Sequence, residues 1–314
     1  MDQLAALRAF VRIVETGSFT AAATTLGTPK PTVSKLVQQL EAHLHTRLLS
    51  RTTRRLAVTA DGAAYYERAV QVLSDLEELD ASVTASQSSP RGLLRIDVSS
   101  SVAQDIIMPA IGGFFARFPD IQLQVGVSDR QADLVADNVD CVIRAGPITD
   151  LSLIARRIAG MHMLTCAAPA YLEAHGTPAH PGELERGHLV VGYLKRRLVE
   201  PHPFTFTRGA EALEVNGRYR MAVNESQTYL AAALAGHGIV QLPFFMARPH
   251  LDAGTLRPVL PDWAVPPLSL HVVYPPNRHL STRLRVFVDW TAAVFSAAEL
   301  APPRSTPRAA ARRS

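Results

Sequence analysis

Cysteine is scarce: Cys141 and Cys166 are the only two in 314 residues, far apart and outside any CxxC or Cys/His ligand spacing. That excludes a disulfide framework and a zinc site, and leaves two half-buried thiols in a reducing compartment as the expectation. No apolar run reaches the ~18 residues of a membrane span, so no membrane partner is expected. The N-terminus carries Asp2 and lacks a basic-then-apolar signal pattern, which points to a cytoplasmic protein. Catalytic patterns are missing too. No GxGxxG follows a strand, GHG at 236–238 stops short of one, and neither a phosphate-cradling GxxxxGK(S/T), HExxH nor GxSxG occurs. The 11 histidines show no ligand pattern: His43 and His45 fall at i, i+2, while His175, His180 and His188 lie in a loop-rich stretch. Scattered surface histidines are expected, and no metal site, cofactor or catalytic residue is assigned.

What the chain does contain is ordinary core material, with 47% hydrophobic and 19% charged residues. Its length suits two or three compact units. The net charge of +4 is unevenly spread. Residues 1–60 hold eight Lys/Arg against three Asp/Glu, residues 301–314 hold four Arg and no acid, and the stretch between is acidic overall. A basic head on an acidic body fits a protein that meets phosphate at one end.

The head has a definite pattern. Leu4, Leu7, Phe10, Val11 and Val14 recur at helical spacing up to Gly17, and Ser18 is placed to cap a second helix, FTAAATTL, that ends at Gly27. A third helix follows with Val33, Leu36, Val37, Leu40 and Leu44 inward. Two short helices joined by a tight glycine turn form a helix-turn-helix, whose second member enters the major groove. The outward residues of that helix are Lys30, Pro31, Thr32, Ser34, Lys35, Gln38 and Gln39, with no carboxylate before Glu41. Such groups read base edges and phosphates. SRTTRRLAVT then predicts a hairpin wing, with Leu56 and Val58 inward and Arg51, Arg54 and Arg55 outward for salt-sensitive backbone contacts. Ser18 completes the DNA-binding set.

FVRIVETGSFTAAATTL, TVSKLVQQLEAHL and LLSRTTRRLAVTADG, in this order, resemble the LysR-type transcriptional regulators, and the resemblance continues to about residue 297. Two positions depart from that pattern. Pro29 stands where the family has a capping serine, with Thr28 the expected substitute cap, and His45 replaces a glycine, where the helix end should be strained or reshaped.

Residues 61–89 read as a linker helix in which Tyr65, Ala69, Val72, Leu76, Leu79 and Val83 follow one another at spacings of four and three. That seam fits either packing on its own domain or pairing with a second copy; the resemblance implies pairing, as a homodimer or homotetramer. SQSSPRG at 86–92 marks the boundary.

From 90 to 300 strands alternate with helices: LLRIDV, a helix through Ile107, Ile111 and Phe115, IQLQVGV, a helix around Leu134, then CVIRAG. A second set starts near MLTCAAP and ends near Trp263, after which LSLHVVYP and TRLRVFVDWTAAVF return to the first. The pattern predicts an α/β fold with parallel sheets. Two subdomains are expected, at about 91–163 with 268–300 and at about 164–267, similar to the effector-binding half of LysR-type regulators and to periplasmic solute-binding proteins. Ligands of such sheets sit beyond the carboxyl ends of strands. Ser99, Ser100 and Ser101 occupy one such place, and Asn224 with Ser226 the equivalent place across the cleft. Ser128, Arg144 as a carboxylate partner, and Phe204 as a pocket wall in a loop complete the effector candidates. Residues 301–314, with three prolines and four arginines, are expected to be a disordered tail.

The expected function is regulation of transcription by a dimer on double-stranded DNA, modulated by a small polar or carboxylate effector. Two rivals are a solute-receptor-like binding protein with an incidental basic head, and an enzyme tethered to a DNA-binding domain.

Overall fold

The computed structural model describes residues 1–52, 55–84, 89–129, 139–148, 150, 152–194, 200–276, 281–298 and 300. Arg54, the helix expected around Leu134 and the basic tail lie outside them. The chain divides into two compact units, Met1–Gly92 and Leu93–Ser314.

The first unit holds helices α1 (Gln3–Thr16), α2 (Phe19–Leu26) and α3 (Lys30–Leu44), strands β1 (Leu49–Thr52) and β2 (Arg55–Val58), and helix α4 (Ala60–Thr84). Asp2 caps α1 by accepting the Ala5 N–H at 2.9 Å, and Gly17 ends it at φ 63°, a left-handed conformation that costs glycine little. Phe10, Ile13, Val33, Leu40 and Leu48 are buried at its centre. Each such side chain contributes roughly 1.5–3 kcal/mol of burial free energy. Leu4 and Val58, expected inward, are instead 39% and 38% exposed because they lie at the margins of this small core. The seam of α4 is also redirected. Tyr65 packs edge-on against Phe10 at 5.7 Å between centroids, and Ala69 is buried together with Leu73, so this part of the helix completes its own unit's core. Val72 remains 55% exposed, and the side chains of Leu79 and Val83 lie outside the described residues.

The second unit begins with β3 (Gly92–Val98), α5 (Ser100–Val102), a π-helical turn (Ala103–Ile107), α6 (Met108–Arg117), β4 (Ile121–Val127), β5 (Cys141–Ala145) and the long β6 (Ile154–Ala167). It continues with α7 (Pro169–His175), a 3-10 turn (Pro181–Glu185), β7 (Val190–Tyr193), β8 (Phe204–Arg208), β9 (Glu211–Val215), β10 (Tyr219–Val223) and α8 (Ser226–Leu234). It closes with β11 (Val240–Pro243), α9 (Phe244–Asp252), β12 (Arg257–Pro258), β13 (Val265–Tyr274) and α10 (Thr282–Ala297). The main sheet runs β11-β6-β13-β5-β3-β4, with β12 also on β6.

The expected parallel sheet is in fact mixed. β3 pairs with β5 in parallel, and β7 with β10, but β13 runs antiparallel to both β5 and β6. The reason is the return of the chain: β6 leaves the first set of elements and β13 comes back beside it, so the two crossing strands must oppose each other. One core, around Ile96, Ile107, Phe114, Ile143 and Phe287, supports the first set, while Phe206, Leu184 and Trp263 lie in another that supports the second. Both cysteines are fully buried, more than the half-burial expected, and burial pushes the Cys166 thiol up to about 12.

Candidate functional site

On α3 the polar face is formed as the spacing predicts. Lys30, Pro31, Thr32, Lys35 and Gln38 are exposed, with Ser34 and Gln39 half-buried beside Val33, Val37 and Leu40, which hold the opposite face in the core. Pro31 lies in the first turn, where its missing N–H costs nothing. Glu41, the one acid of the helix, turns its carboxylate onto the backbone N–H groups of Leu48 and Leu49, at 2.9 and 3.0 Å. It thereby fixes the start of the wing and leaves the polar face of α3 to donors and cations. Ser18 is the N-cap of α2, accepting from Ala21 N–H at 3.4 Å. In the wing, Arg51 lies opposite Leu56 and Arg55 opposite Thr52 in the antiparallel β1–β2 ladder.

The ends of α3 answer the two departures. Thr28 is not the cap: its hydroxyl donates to the Leu26 carbonyl at 3.1 Å, and Pro29 occupies the N-cap without a side-chain bond. His45 takes the left-handed conformation a glycine would take, at φ 52° and ψ 29°.

Within the second unit the loops after β3, β4, β7 and β10 converge. Ser100 donates its backbone N–H to one oxygen of Asp129 at 2.8 Å, while the other oxygen of Asp129 receives the Ser226 N–H and the Tyr193 hydroxyl, the latter at 3.2 Å. The Ser100 hydroxyl meets Glu225 in a short contact and lies 2.9 Å from the Ser226 hydroxyl, which in turn accepts the Ser101 N–H at 3.1 Å. Glu225 also caps α8, accepting the N–H groups of Gln227 and Thr228 at 2.9 and 2.7 Å. Burial of Glu225 favours its neutral form, but these donors together outweigh burial and bring its carboxyl down to about 2. Tyr193 is shifted the other way, its phenol raised by burial and by the Asp129 carboxylate beside it.

The first unit matches the family model for bacterial regulatory helix-turn-helix proteins of the lysR family over residues 4–63, and the LysR substrate binding domain model matches residues 87–296. The chain belongs to the LysR family. It is a DNA-binding transcriptional regulator with an effector-binding domain. The HTH-type transcriptional regulator YhjC of Escherichia coli is 40% identical over 94% of this chain and 98% of that protein. An HTH-type transcriptional repressor of Pseudomonas aeruginosa is 38% identical over 94% of this chain and 93% of that protein. Among solved structures, CrgA, a LysR-type regulator from Neisseria meningitidis, superimposes with TM-score 0.60 at 30% identity, covering 92% of this chain and 98% of that one. The full-length virulence activator AphB of Vibrio cholerae gives 0.55 at 29% identity, with 92% and 98% covered.

In this LysR-type regulator Ser100, Ser101 and Ser226 come together as the sequence suggests, with Ser99 half-buried at the head of α5 and Asn224 half-buried beside Glu225. Ser128 donates its N–H to Val98 at 3.0 Å and so extends the β3–β4 edge. Two candidates require correction. Arg144 is paired with Asp97, both side chains largely buried at 14% and 13% exposure, so its guanidinium answers an internal carboxylate. Phe204 is in strand β8, not a loop, and its ring is 4% exposed in the core with Phe206 and Trp263. His188 is likewise buried, beside the Tyr171 hydroxyl at 3.4 Å, where a surface histidine was expected. Among the described residues no group of histidine, cysteine and carboxylates is arranged to hold a metal, and no helix is long and apolar enough to cross a membrane.

Asp129, Tyr193 and Glu225 are not among the residues that the sequence pattern singles out. Each had a signal. Asp129 and Tyr193 stand at or just beyond the carboxyl ends of β4 and β7, where open α/β sheets place ligand groups. Glu225 lies between Asn224 and Ser226, just before a helical run.

Proposed function

We propose that this regulator binds a two-fold-related duplex as a dimer or a dimer of dimers, with Lys30, Thr32, Ser34, Lys35, Gln38 and Gln39 in the major groove and Arg51, Arg54 and Arg55 along the backbone. The observation that carries this reading is the uninterrupted donor face of α3, kept free of carboxylate by the turn of Glu41 onto the wing backbone. Exposed Val72 on α4 supports pairing with a second copy. A small molecule in the cleft between the Ser100 and Ser226 loops shifts the balance between assemblies by binding one of them better. The protein acts without catalysis, in the cytoplasm, and its regulatory output is the DNA complex itself.

Gel-shift titration against DNA upstream of its own gene, at several salt concentrations, tests this directly. A specific site should be bound far more tightly than random duplex. Lys35→Ala should weaken binding and alter preference at one or two base positions, whereas Arg54→Ala should weaken all sequences alike and lower the salt slope by about one unit. Equal, sequence-blind losses from both would show that the reading face lies elsewhere.

A further inference from the structure

The cleft of the second unit already holds a carboxylate. One oxygen of Asp129 takes the Ser100 N–H at 2.8 Å; the other takes the Ser226 N–H and the Tyr193 hydroxyl, with the Ser100 hydroxyl also within 3.2 Å. Ser100 and Asp129 follow strands β3 and β4 of the first set of elements, whereas Tyr193 and Ser226 belong to β7 and α8 of the second. The Ser100 N–H belongs to the first residue of α5, just after β3, and the Ser226 N–H to the first residue of α8, just after β10 and the Glu225 cap. Two backbone amides and a phenol converging on two oxygens form a site for a carboxylate, and charge-assisted bonds of this kind are the strong ones. The only cation that the sequence pattern assigned to an incoming carboxylate, Arg144, is held by Asp97.

We propose that Asp129 is a built-in carboxylate ligand and the specificity-determining residue of the effector cleft: it occupies the donors of Ser100, Ser226 and Tyr193, ties the two subdomains together, and excludes free carboxylates from that position. The inference rests on the reading of this cleft as the effector site. An effector of this regulator therefore either leaves Asp129 in place and binds beside it, or must displace it, and a small monocarboxylate alone gains nothing by entering.

Chemical rescue in the full-length protein tests the proposal. Asp129→Ala empties the position and should lower Tm by about 5 °C, the scale expected for losing a few charge-assisted hydrogen bonds in a domain of this size. Sodium acetate at tens of millimolar, compared with sodium chloride at equal ionic strength, should then raise Tm of the variant and leave the wild type unchanged. Asp129→Asn, which keeps the shape and loses the charge, should melt below wild type and gain nothing from acetate. The proposal is overturned if acetate raises the wild type as much as Asp129→Ala, if Asp129→Ala ignores acetate, or if Asp129→Asn melts with the wild type. Should Asp129→Ala be recovered folded only from acetate-containing buffer, that dependence supports it; failure to fold in either salt while Asp129→Asn keeps wild-type stability overturns it. Operator binding by the wild type in gel shift is read separately, so a failure of the regulator reading is not mistaken for a failure of this one.

Discussion

At Gly62 a Cβ atom would lie 2.0 Å from the carbonyl oxygen of Leu48, a distance that no side-chain rotation relieves. The close approach exists because Thr59 ties the start of α4 to this segment: its hydroxyl donates to the Arg47 carbonyl at 2.8 Å and accepts the Gly62 N–H at 2.9 Å. Gly62→Ala must therefore push α4 away from the wing, and a loss of about 2–3 kcal/mol in the stability of the first unit is expected from overpacking. Thermal melting of the variant checks it; an unchanged or raised Tm would mean that the helix start yields freely. Single residues of this kind explain what was hard to see in the sequence. Arg144 reads as a cation at the end of a strand, and only the parallel register of β3 on β5, with Asp97 opposite Val142, brings an acid from 47 residues earlier beside it. The partner was invisible because local spacing does not encode register.

At the scale of the element, α3 shows a polar face that follows from its sequence and ends that do not. The 3.6-residue period places Val33, Val37 and Leu40 in the core and the donors outside, as written. Its caps depend on atoms instead. Pro29 accepts through its carbonyl from Thr32 and Val33 but offers no side-chain acceptor to the first turn, and the backbone of this N-cap, at φ −55° and ψ 136°, is one that serine adopts without strain. Pro29→Ser should therefore stabilise the first unit by about 0.5–1 kcal/mol through a new N-cap bond. His45→Gly should add a similar gain of about 1 kcal/mol, because a non-glycine residue at φ 52° bears a penalty that glycine avoids. The double variant melts higher than either single one if the two ends act independently. A lower Tm for Pro29→Ser would indicate that the proline's restriction of the unfolded chain outweighs the missing cap. The linker helix makes the same point in reverse: its spacing fits a seam, but Tyr65 and Ala69 are used by their own unit, since an apolar stripe records that a face is buried and not against what.

At the scale of the second unit, the alternation of strands and helices is enough to foretell an α/β unit and the strand-end loops that meet, whereas the antiparallel return of β13 and the carboxylates among those loops are not legible in it. Serines at strand ends read as ligand groups, yet the donors of Ser100 and Ser226 are engaged by Asp129 and Glu225 of the same chain, and this follows from a meeting of loops distant in sequence. The hydrogen bonds that Glu225 accepts give the unit a dependence on pH whose sign is fixed. The Glu225 carboxyl ionises at about 2 here against an ordinary value of 4.5, so the folded state binds its proton less readily than the unfolded chain does. Its contribution is fully present above pH 4.5 and is lost as pH falls through that value toward about 2. Glu225→Gln removes the charge that accepts from Ser100, Gln227 and Thr228. At neutral pH the Gln227 and Thr228 amides should therefore exchange with solvent faster in the variant than in the wild type, and the difference should begin to shrink as the pH falls toward about 2, where half of the wild-type side chains have become neutral. A difference that stays constant from neutral pH down to acid would show that the cap at α8 is held by packing and not by the charge of Glu225.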